Sequence, residues 1–380
     1  MQMACLEPDL ELEEPPPAAL STDYLVVGGG IAGVSCAELL LTLDPEASVT
    51  LVTDCHLVKA VTDLSHVTKL LANFRVVERS AKEWGQEGGV RVVQGGVTAL
   101  DPHSQTVSVE GVGKVGYGRL CLATGGRPRL VCRHPLVLGL RDVQSVLHLQ
   151  AKLSAARRVL VLGNGGIATE LVHELRGVEV VWVVRDETIN SAFLDPGAGQ
   201  FLIDRLEGGA GQGGAPSKRL QYKVRGAGEE GRGSALGPDW HLGINTGGAG
   251  AGRRVVLEQG TEVREVLEPE EAGTASLHTP EGWEEGGDWP LRVRLTSGRL
   301  YGCDFLVSAT GVLPGGEVWR EVLEVDREGG VLVDSLMHTS SHGVWAAGDL
   351  IAPNWQISQH WLHMRLWTQV GKSHYIISRR

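Results

Sequence analysis

The sequence predicts an α/β fold in which two Rossmann-like dinucleotide-binding units share one chain. Three observations predict it. A branched apolar stretch, Tyr24-Leu25-Val26-Val27, runs into Gly28-Gly29-Gly30, and Ile31-Ala32-Gly33-Val34 then continues with apolar residues at helical spacing. A second stretch, Val159-Leu160-Val161-Leu162, runs in the same way through Gly163-Asn164-Gly165-Gly166 into Ile167-Ala168-Thr169-Glu170. Three further apolar strands end in glycine turns, at Ala123-Thr124-Gly125, Ala309-Thr310-Gly311 and Ala347-Gly348-Asp349.

In the first unit Gly28, Gly30 and Gly33 fit G-x-G-x-x-G. The first glycine makes the tight turn, the second lets backbone approach a pyrophosphate, and the third lets helix pack on strand, so that the helix N-terminus faces the anion. A lone match of this kind is weak, because glycine turns are common; strand and helix in their places strengthen it. The second strand is Ser48–Thr53. An acid that reads an adenosine ribose is expected at its end, about 20 residues past the glycines. Thr53 stands there, with Asp54 next.

The stretch Cys55-His56-Leu57-Val58-Lys59-Ala60 reads as a loop. Cys55 is either an ordinary thiol or a lone redox thiol beside a cofactor, and the ordinary reading is favoured because no partner cysteine lies at useful spacing. Lys59 could approach the ring of a bound cofactor, but the solvated reading is favoured. Val90–Val93 and Thr106–Val109 read as a small antiparallel excursion before the strand Leu120–Ala123.

The second unit, Gly163, Gly165 and Ala168, fits G-x-G-x-x-A, and its own second strand, Val180–Val184, ends at Arg185-Asp186. An arginine there suits a 2′-phosphate and an acid suits a free ribose, so the sequence leaves NADH and NADPH both open. Two units with full context imply two dinucleotides. Between about 205 and 253 the chain is glycine-rich and of low complexity, apart from the island Ser234–His241; such a tract reads as a flexible insertion. Strands resume at 255–257, 291–295 and 305–311, and His360–Trp367 reads as a helix.

Length and charge bound the rest. At 380 residues two domains are expected, and a formal charge of -11 argues against bulk electrostatic binding of nucleic acid or an anionic membrane. No apolar run is long enough to span a bilayer, and residues 1–20 are acidic and proline-rich, reading as disordered and unlike a signal peptide. The six cysteines (Cys5, Cys36, Cys55, Cys121, Cys132 and Cys303) are scattered, with no structural zinc spacing. They suit an intracellular reducing compartment, and the expected location is the cytoplasm and also the nucleus.

Taken together, Gly28–Gly33, Ala123-Thr124-Gly125, Gly163–Glu170, Ala309-Thr310-Gly311 and Gly348-Asp349 resemble, in order and spacing, the FAD-dependent pyridine nucleotide-disulfide oxidoreductase superfamily across residues 24–370. The resemblance implies an FAD domain from residues 21–150 and 301–380, with an NAD(P)H domain, residues 151–300, inserted in it. It implies that Gly28, Gly30 and Gly33 hold the FAD pyrophosphate, with Ile31 and Ala32 beside them, that Thr53 stands where the ribose acid usually is, and that Asp349, just after Gly348, accepts from the FAD ribitol; Thr124, Gly125 and Gly311 are further cofactor-binding positions. Gly163, Gly165 and Ala168 would hold the pyrophosphate of NADH or NADPH, and Gly166, Ile167, Glu170 and Arg185 would complete that site. His360-Trp361 resembles the His-Trp of the ferredoxin-reductase branch, with Trp361 either beside the flavin or plain core.

Two departures follow. The paired redox cysteines of the disulfide reductases are absent, and the C-terminal interface domain is expected to be missing, which leaves oligomeric state open. The expected activity is hydride transfer from NAD(P)H to FAD, with an unidentified electron acceptor or partner protein. The alternative is a nucleotide-dependent binding protein whose FAD and NAD(P)H gate a partner or shield it from oxidation.

Overall fold

The computed structural model describes residues 20–66, 72–191, 194–207, 245–250, 254–273, 275–283 and 285–355. The expected disordered N-terminus, most of the glycine-rich tract including its island, and the expected 360–367 helix with Trp361 lie outside the described residues.

The first unit begins with β1 (Leu20–Val27), α1 (Ile31–Leu43) and β2 (Val49–Thr53). A ribbon follows, β3 (Leu57–His66) antiparallel to β4 (Ala72–Ser80), then α2 (Ala81–Gly88) and β5 (Arg91–Gln94). A meander closes it: β6 (Val97–Asp101), β7 (Thr106–Val109) and β8 (Gly113–Leu122). The sheet order is β5-β2-β1-β8-β7-β6; β2 is buried at every position, and β1 and β8 are buried over their last three residues, which is why these stretches read as unbroken apolar runs.

Two expectations change here. Residues 57–66 form a strand, not a loop. The segment near Val90–Val93 is the parallel edge of the main sheet, with Arg91 opposite Thr50, and only β6, β7 and β8 form the antiparallel excursion. The reason is α2. Ser80 caps its start by accepting from the Glu83 N–H, Gly89 ends it at φ 70°, and the chain is thereby returned parallel to β2.

Short strands β9 (Gly126–Pro128) and β10 (Val137–Leu138) lead into α3 (Val143–Leu153), whose N-cap Asp142 forms a reciprocal capping box with Ser145. The second unit comprises β11 (Arg158–Leu162), α4 (Gly166–Glu174), β12 (Glu179–Val184), α5 (Pro196–Glu207) and β13 (Arg254–Gln259). Its meander is β14 (Val263–Leu267), β15 (Leu291–Leu295) and β16 (Leu300–Cys303), and β17 (Phe305–Ser308) returns to the sheet. The sheet order β10-β17-β11-β12-β13 is parallel throughout.

The order β13-β12-β11-β17 repeats β5-β2-β1-β8, with a three-stranded meander in the same place, so the two units share one plan. The strand β18 (Val312–Pro314) pairs antiparallel with β9, and β19 (Val331–Val333), β20 (Val344–Ala346) and β21 (Ile351–Pro353) follow. Of these, β20 joins β8 in the first sheet. The chain therefore leaves that sheet after β8, builds the second, and comes back. One core fills the first unit around Leu25, Leu51 and Leu122; two others cover the faces of the second sheet around Val161 and Leu160.

Candidate dinucleotide sites

At the first turn Gly28 has φ 123°, and a Cβ there would lie 2.2 Å from the Ala123 carbonyl oxygen. A Cβ on Gly33 would lie 1.9 Å from the Gly28 oxygen, whereas one on Gly30 would meet nothing within 4 Å. The outer glycines are required by backbone, and the middle one faces open space. The second turn repeats this. Gly163 has φ 139°, with the Ala309 oxygen 2.2 Å from its would-be Cβ, while Gly165 and Gly166 face open space. Ala168, in the place of the third glycine, is fully buried. The Trp182 indole on β12 donates to the Gly163 carbonyl at 2.8 Å and pins the turn.

Gly30 and Gly165 are the N-caps of α1 and α4, and neither supplies a side-chain cap. The first N–H groups of each helix therefore lack that partner, at the positive end of the helix dipole. Ile31 is buried at the start of α1, and Ala32 beside it takes Gly348: a Cβ on that glycine (φ 74°) would stand 3.0 Å from the Ala32 Cβ. Gly348-Asp349 thus comes to the first turn from over 300 positions away in sequence. In the second unit Ile167 is exposed and Glu170 half-buried on α4.

The end of β2 differs from expectation. Thr53 is buried, and its hydroxyl accepts from the Cys55 N–H at 3.2 Å. Asp54 instead lines an open cavity of about 470 Å³ together with Gln94, Gly95, Gly96, Glu110 and Gly111. Asp54 lies just past the last residue of β2, whose five residues are all buried, so the acid stands where the chain leaves the core.

Beyond the turn lies a buried charge pair. Lys59 and Glu78 are opposite each other across β3 and β4, with Nζ 3.8 Å from Oε1 and both side chains essentially inaccessible. The expectation of a solvated Lys59 is thereby corrected. Its backbone N–H donates to the Gly29 carbonyl at 3.1 Å, which fixes it beside the first turn. Burial lowers the ammonium pKa to about 8, although Glu78 and Asp142 oppose the fall.

Cys55 is buried in the same neighbourhood. Burial pushes its thiol up, and the nearby carboxylates of Asp54, Glu78 and Asp142 push the same way, so it is held as a thiol. Of the other cysteines, Cys36 and Cys121 are in hydrogen-bonding contact in the first core, and this contact followed by burial raises Cys121 well above the usual thiol range. All the described cysteines are free. The Cys36–Cys121 contact joins α1 to β8, and nothing in their sequence spacing of 85 residues signals it.

At the Ala123-Thr124-Gly125 turn the Thr124 hydroxyl is buried with no hydrogen-bond partner among the described residues, and so is the Nε of Arg141. An Arg141 terminal nitrogen lies 3.9 Å from the would-be Cβ of Gly125, which has φ 68°. Thr124, Gly125, Arg141, Asp142 and the Lys59–Glu78 pair therefore converge at the carboxyl end of the first sheet. Gly311, φ 98°, ends the equivalent turn in the second unit; its carbonyl accepts from the Arg129 N–H at 2.9 Å, which ties the two crossing segments together.

At the end of β12 the Arg185 side chain is exposed, with its Nε 3.7 Å from Asp186 Oδ1. Among the described residues no group of His, Cys, Asp and Glu could hold a metal. Sequence reasoning missed Glu78 and Arg141, and read Lys59 as solvated. Val58, Lys59 and Ala60 are all buried, so β3 lacks the alternation that marks a half-buried strand.

Two duplicated turns of this geometry, on two sheets whose parallel strands share one plan, define a protein with two Rossmann-type dinucleotide-binding units. The profile of the Pyridine nucleotide-disulphide oxidoreductase family matches residues 22–209 and 262–369, and the chain belongs to that family. Within it the chain is similar to the human protein named Pyridine nucleotide-disulfide oxidoreductase domain-containing protein 1, at 38% identity over 380 residues, covering 95% of this chain and 76% of that one.

Two solved structures share the fold. A ferredoxin reductase from Rhodopseudomonas palustris has a TM-score of 0.63 at 19% identity, covering 94% of this chain and 76% of that one. A water-forming NADH oxidase from Lactobacillus brevis, bound to NADH, has a TM-score of 0.62 at 16% identity, covering 94% and 69%. Membership makes the chain an NAD(P)H-dependent flavoprotein oxidoreductase, of a class that binds FAD and NAD(P)H.

Proposed function

We propose that NAD(P)H bound at the second turn reduces FAD bound at the first, and that no dithiol of this chain relays the electrons onward. The carrying observation is the doubled pattern of the turns. In each, the first glycine is jammed against backbone while the middle one opens onto empty space. That pattern is what close approach of a pyrophosphate needs, twice.

When bound, FAD supplies the hydride-accepting chemistry. The residues of this chain bind, orient and tune. Gly28, Gly30 and Gly33 would admit the FAD pyrophosphate to the N-terminus of α1, with Ile31 and Ala32 as its floor and Gly348-Asp349 closing from the other side. Asp54, at the cavity, rather than Thr53, would accept from the adenosine ribose. The orphaned Thr124 hydroxyl and Arg141 Nε fit a polar group at the Gly125 turn, where burial has already stripped both of water. The Lys59–Glu78 pair would put an ammonium of lowered pKa beside the same region. Gly163, Gly165, Gly166 and Ile167 would receive the nicotinamide nucleotide.

Hydride transfer needs no side-chain nucleophile, and Cys55, held as a thiol, is not one. The acceptor is a small oxidant or a partner protein. Both kinds are supported by the printed names of the two structural neighbours, a ferredoxin reductase and a water-forming NADH oxidase. A reducing compartment, cytoplasm and also the nucleus, is proposed from the scattered cysteine spacing. Steady-state NAD(P)H consumption with oxygen, a quinone or an added disulfide as acceptor tests the proposal. Binding of both nucleotides with no consumption by any acceptor would instead support a binding protein that shields a partner.

A further inference from the structure

Asn164 stands between the glycines of the second turn and reaches across to the loop that follows β12. Its Nδ2 donates to Asp186 Oδ2 at 2.7 Å and to the Thr188 carbonyl at 2.9 Å, and its Oδ1 accepts from the Asn190 N–H at 2.5 Å. The Ser191 hydroxyl lies 3.3 Å from the same Asp186 oxygen and donates to it. An amide has two donor hydrogens, and both are engaged with this one loop. Asp186 is thereby tied to the turn through Oδ2, although its side chain stays 39% exposed.

Arg185 is the opposite case. It follows directly on Val184, the fully buried last residue of β12, and its side chain is 74% exposed. Its contact with Asp186, at 3.7 Å, is too long for a hydrogen bond. Among the described residues that continue β11, β12 and β13 (163–166, 185–191 and 260–262), Arg185 is the one arginine or lysine. This edge is where a Rossmann unit reads the adenosine ribose, by an acid for a free 2′-hydroxyl or by an arginine for a 2′-phosphate.

We propose that Asn164 is a positioning residue that holds Asp186 away from the ribose, so that Arg185 reads a 2′-phosphate and the second site takes NADPH in preference to NADH. This rests on the reading of the second unit as the nicotinamide nucleotide site. The nearby charges of Asp186 and Glu187 oppose a phosphate, so the expected preference is moderate.

The test is calorimetric titration of the full chain, saturated with FAD, with adenosine 2′,5′-bisphosphate and with 5′-AMP, which lack nicotinamide and cannot turn over. The bisphosphate should bind about tenfold tighter, the worth of one charge-assisted contact. Arg185→Ala should remove that preference. Asn164→Ala, by freeing Asp186, should shift it toward 5′-AMP, an outcome that simple loosening of the fold would not produce. Asp186→Asn, which keeps an acceptor for Asn164, should leave 5′-AMP affinity unchanged, and it carries the test if Asn164→Ala fails to fold. Equal or tighter binding of 5′-AMP, or loss of 5′-AMP affinity in Asp186→Asn, would overturn the proposal. A bisphosphate preference that survives Arg185→Ala would overturn the assignment of Arg185 while leaving a nucleotide site in place. Binding of neither compound would overturn the nucleotide site itself, and this proposal with it.

Discussion

Lys59 shows how one residue's burial becomes a measurable property. Its folded pKa, about 8, lies below the ordinary 10.5, so the charged form is penalised in the fold. That penalty is fully present below pH 8 and fades as pH rises toward 10.5, because across this window the unfolded chain binds more protons than the native one. The pair's contribution to stability should therefore increase from pH 8 upward. Replacing both partners, Lys59→Met with Glu78→Leu, should flatten the dependence of Tm on pH relative to the parent chain; identical slopes would mean that Lys59 is not buried as described. The single change Lys59→Met should be worse than the double, because it leaves a buried carboxylate without its cation. Cys55 makes a second, simpler expectation. Cys55→Ser should retain FAD and be reduced anaerobically by NAD(P)H at the parent's rate in stopped flow, since a thiol held protonated is no relay. Both residues lie in a stretch whose chemistry was only partly legible in sequence: neighbours in β3 are buried alike, and the Glu78 partner is set by strand pairing.

The strand–turn–helix elements were the most legible part. Their glycines announce a backbone requirement, and the structure separates two kinds of glycine that look alike in sequence. Gly33→Ala should destabilise the chain by roughly 3 kcal/mol or more, because its Cβ meets a carbonyl oxygen that cannot move without undoing the turn. Gly165→Leu should fold with a Tm close to the parent's, because the side chain enters open space, yet should abolish flavin reduction by NAD(P)H while FAD stays bound. Thermal melts beside reduction kinetics check both. If Gly165→Leu is reduced normally, the second turn is not the nicotinamide site. The β3–β4 ribbon and the parallel placement of β5 were not legible, because each depends on what the segment pairs with. The one-residue step from Thr53 to Asp54 at the cavity is set by where β2 ends, which the residue types there do not mark.

For the molecule as a whole, the two-unit plan was visible in sequence because each unit carries its own local signature. The return of β20 to β8 was implied by resemblance and is explained by length. The ten-residue β8 is long enough to pair with β7 along its first half and with β20 along its second. The meeting of Gly348 with Ala32 follows from that return. A site assembled from both ends of the described chain should make FAD a stabilising ligand: at a hundredfold excess over its Kd it should add about 2.7 kcal/mol to the unfolding free energy, with a matching rise in Tm. The decisive observation is the visible spectrum of the purified chain under anaerobic conditions before and after NADPH or NADH is added. An oxidised flavin band corresponding to about one FAD per chain, bleached by nicotinamide nucleotide, is the result predicted by one FAD site and one nicotinamide nucleotide site in the same chain. A folded, colourless chain that takes up no FAD, or a flavin band that neither nucleotide bleaches, would contradict it.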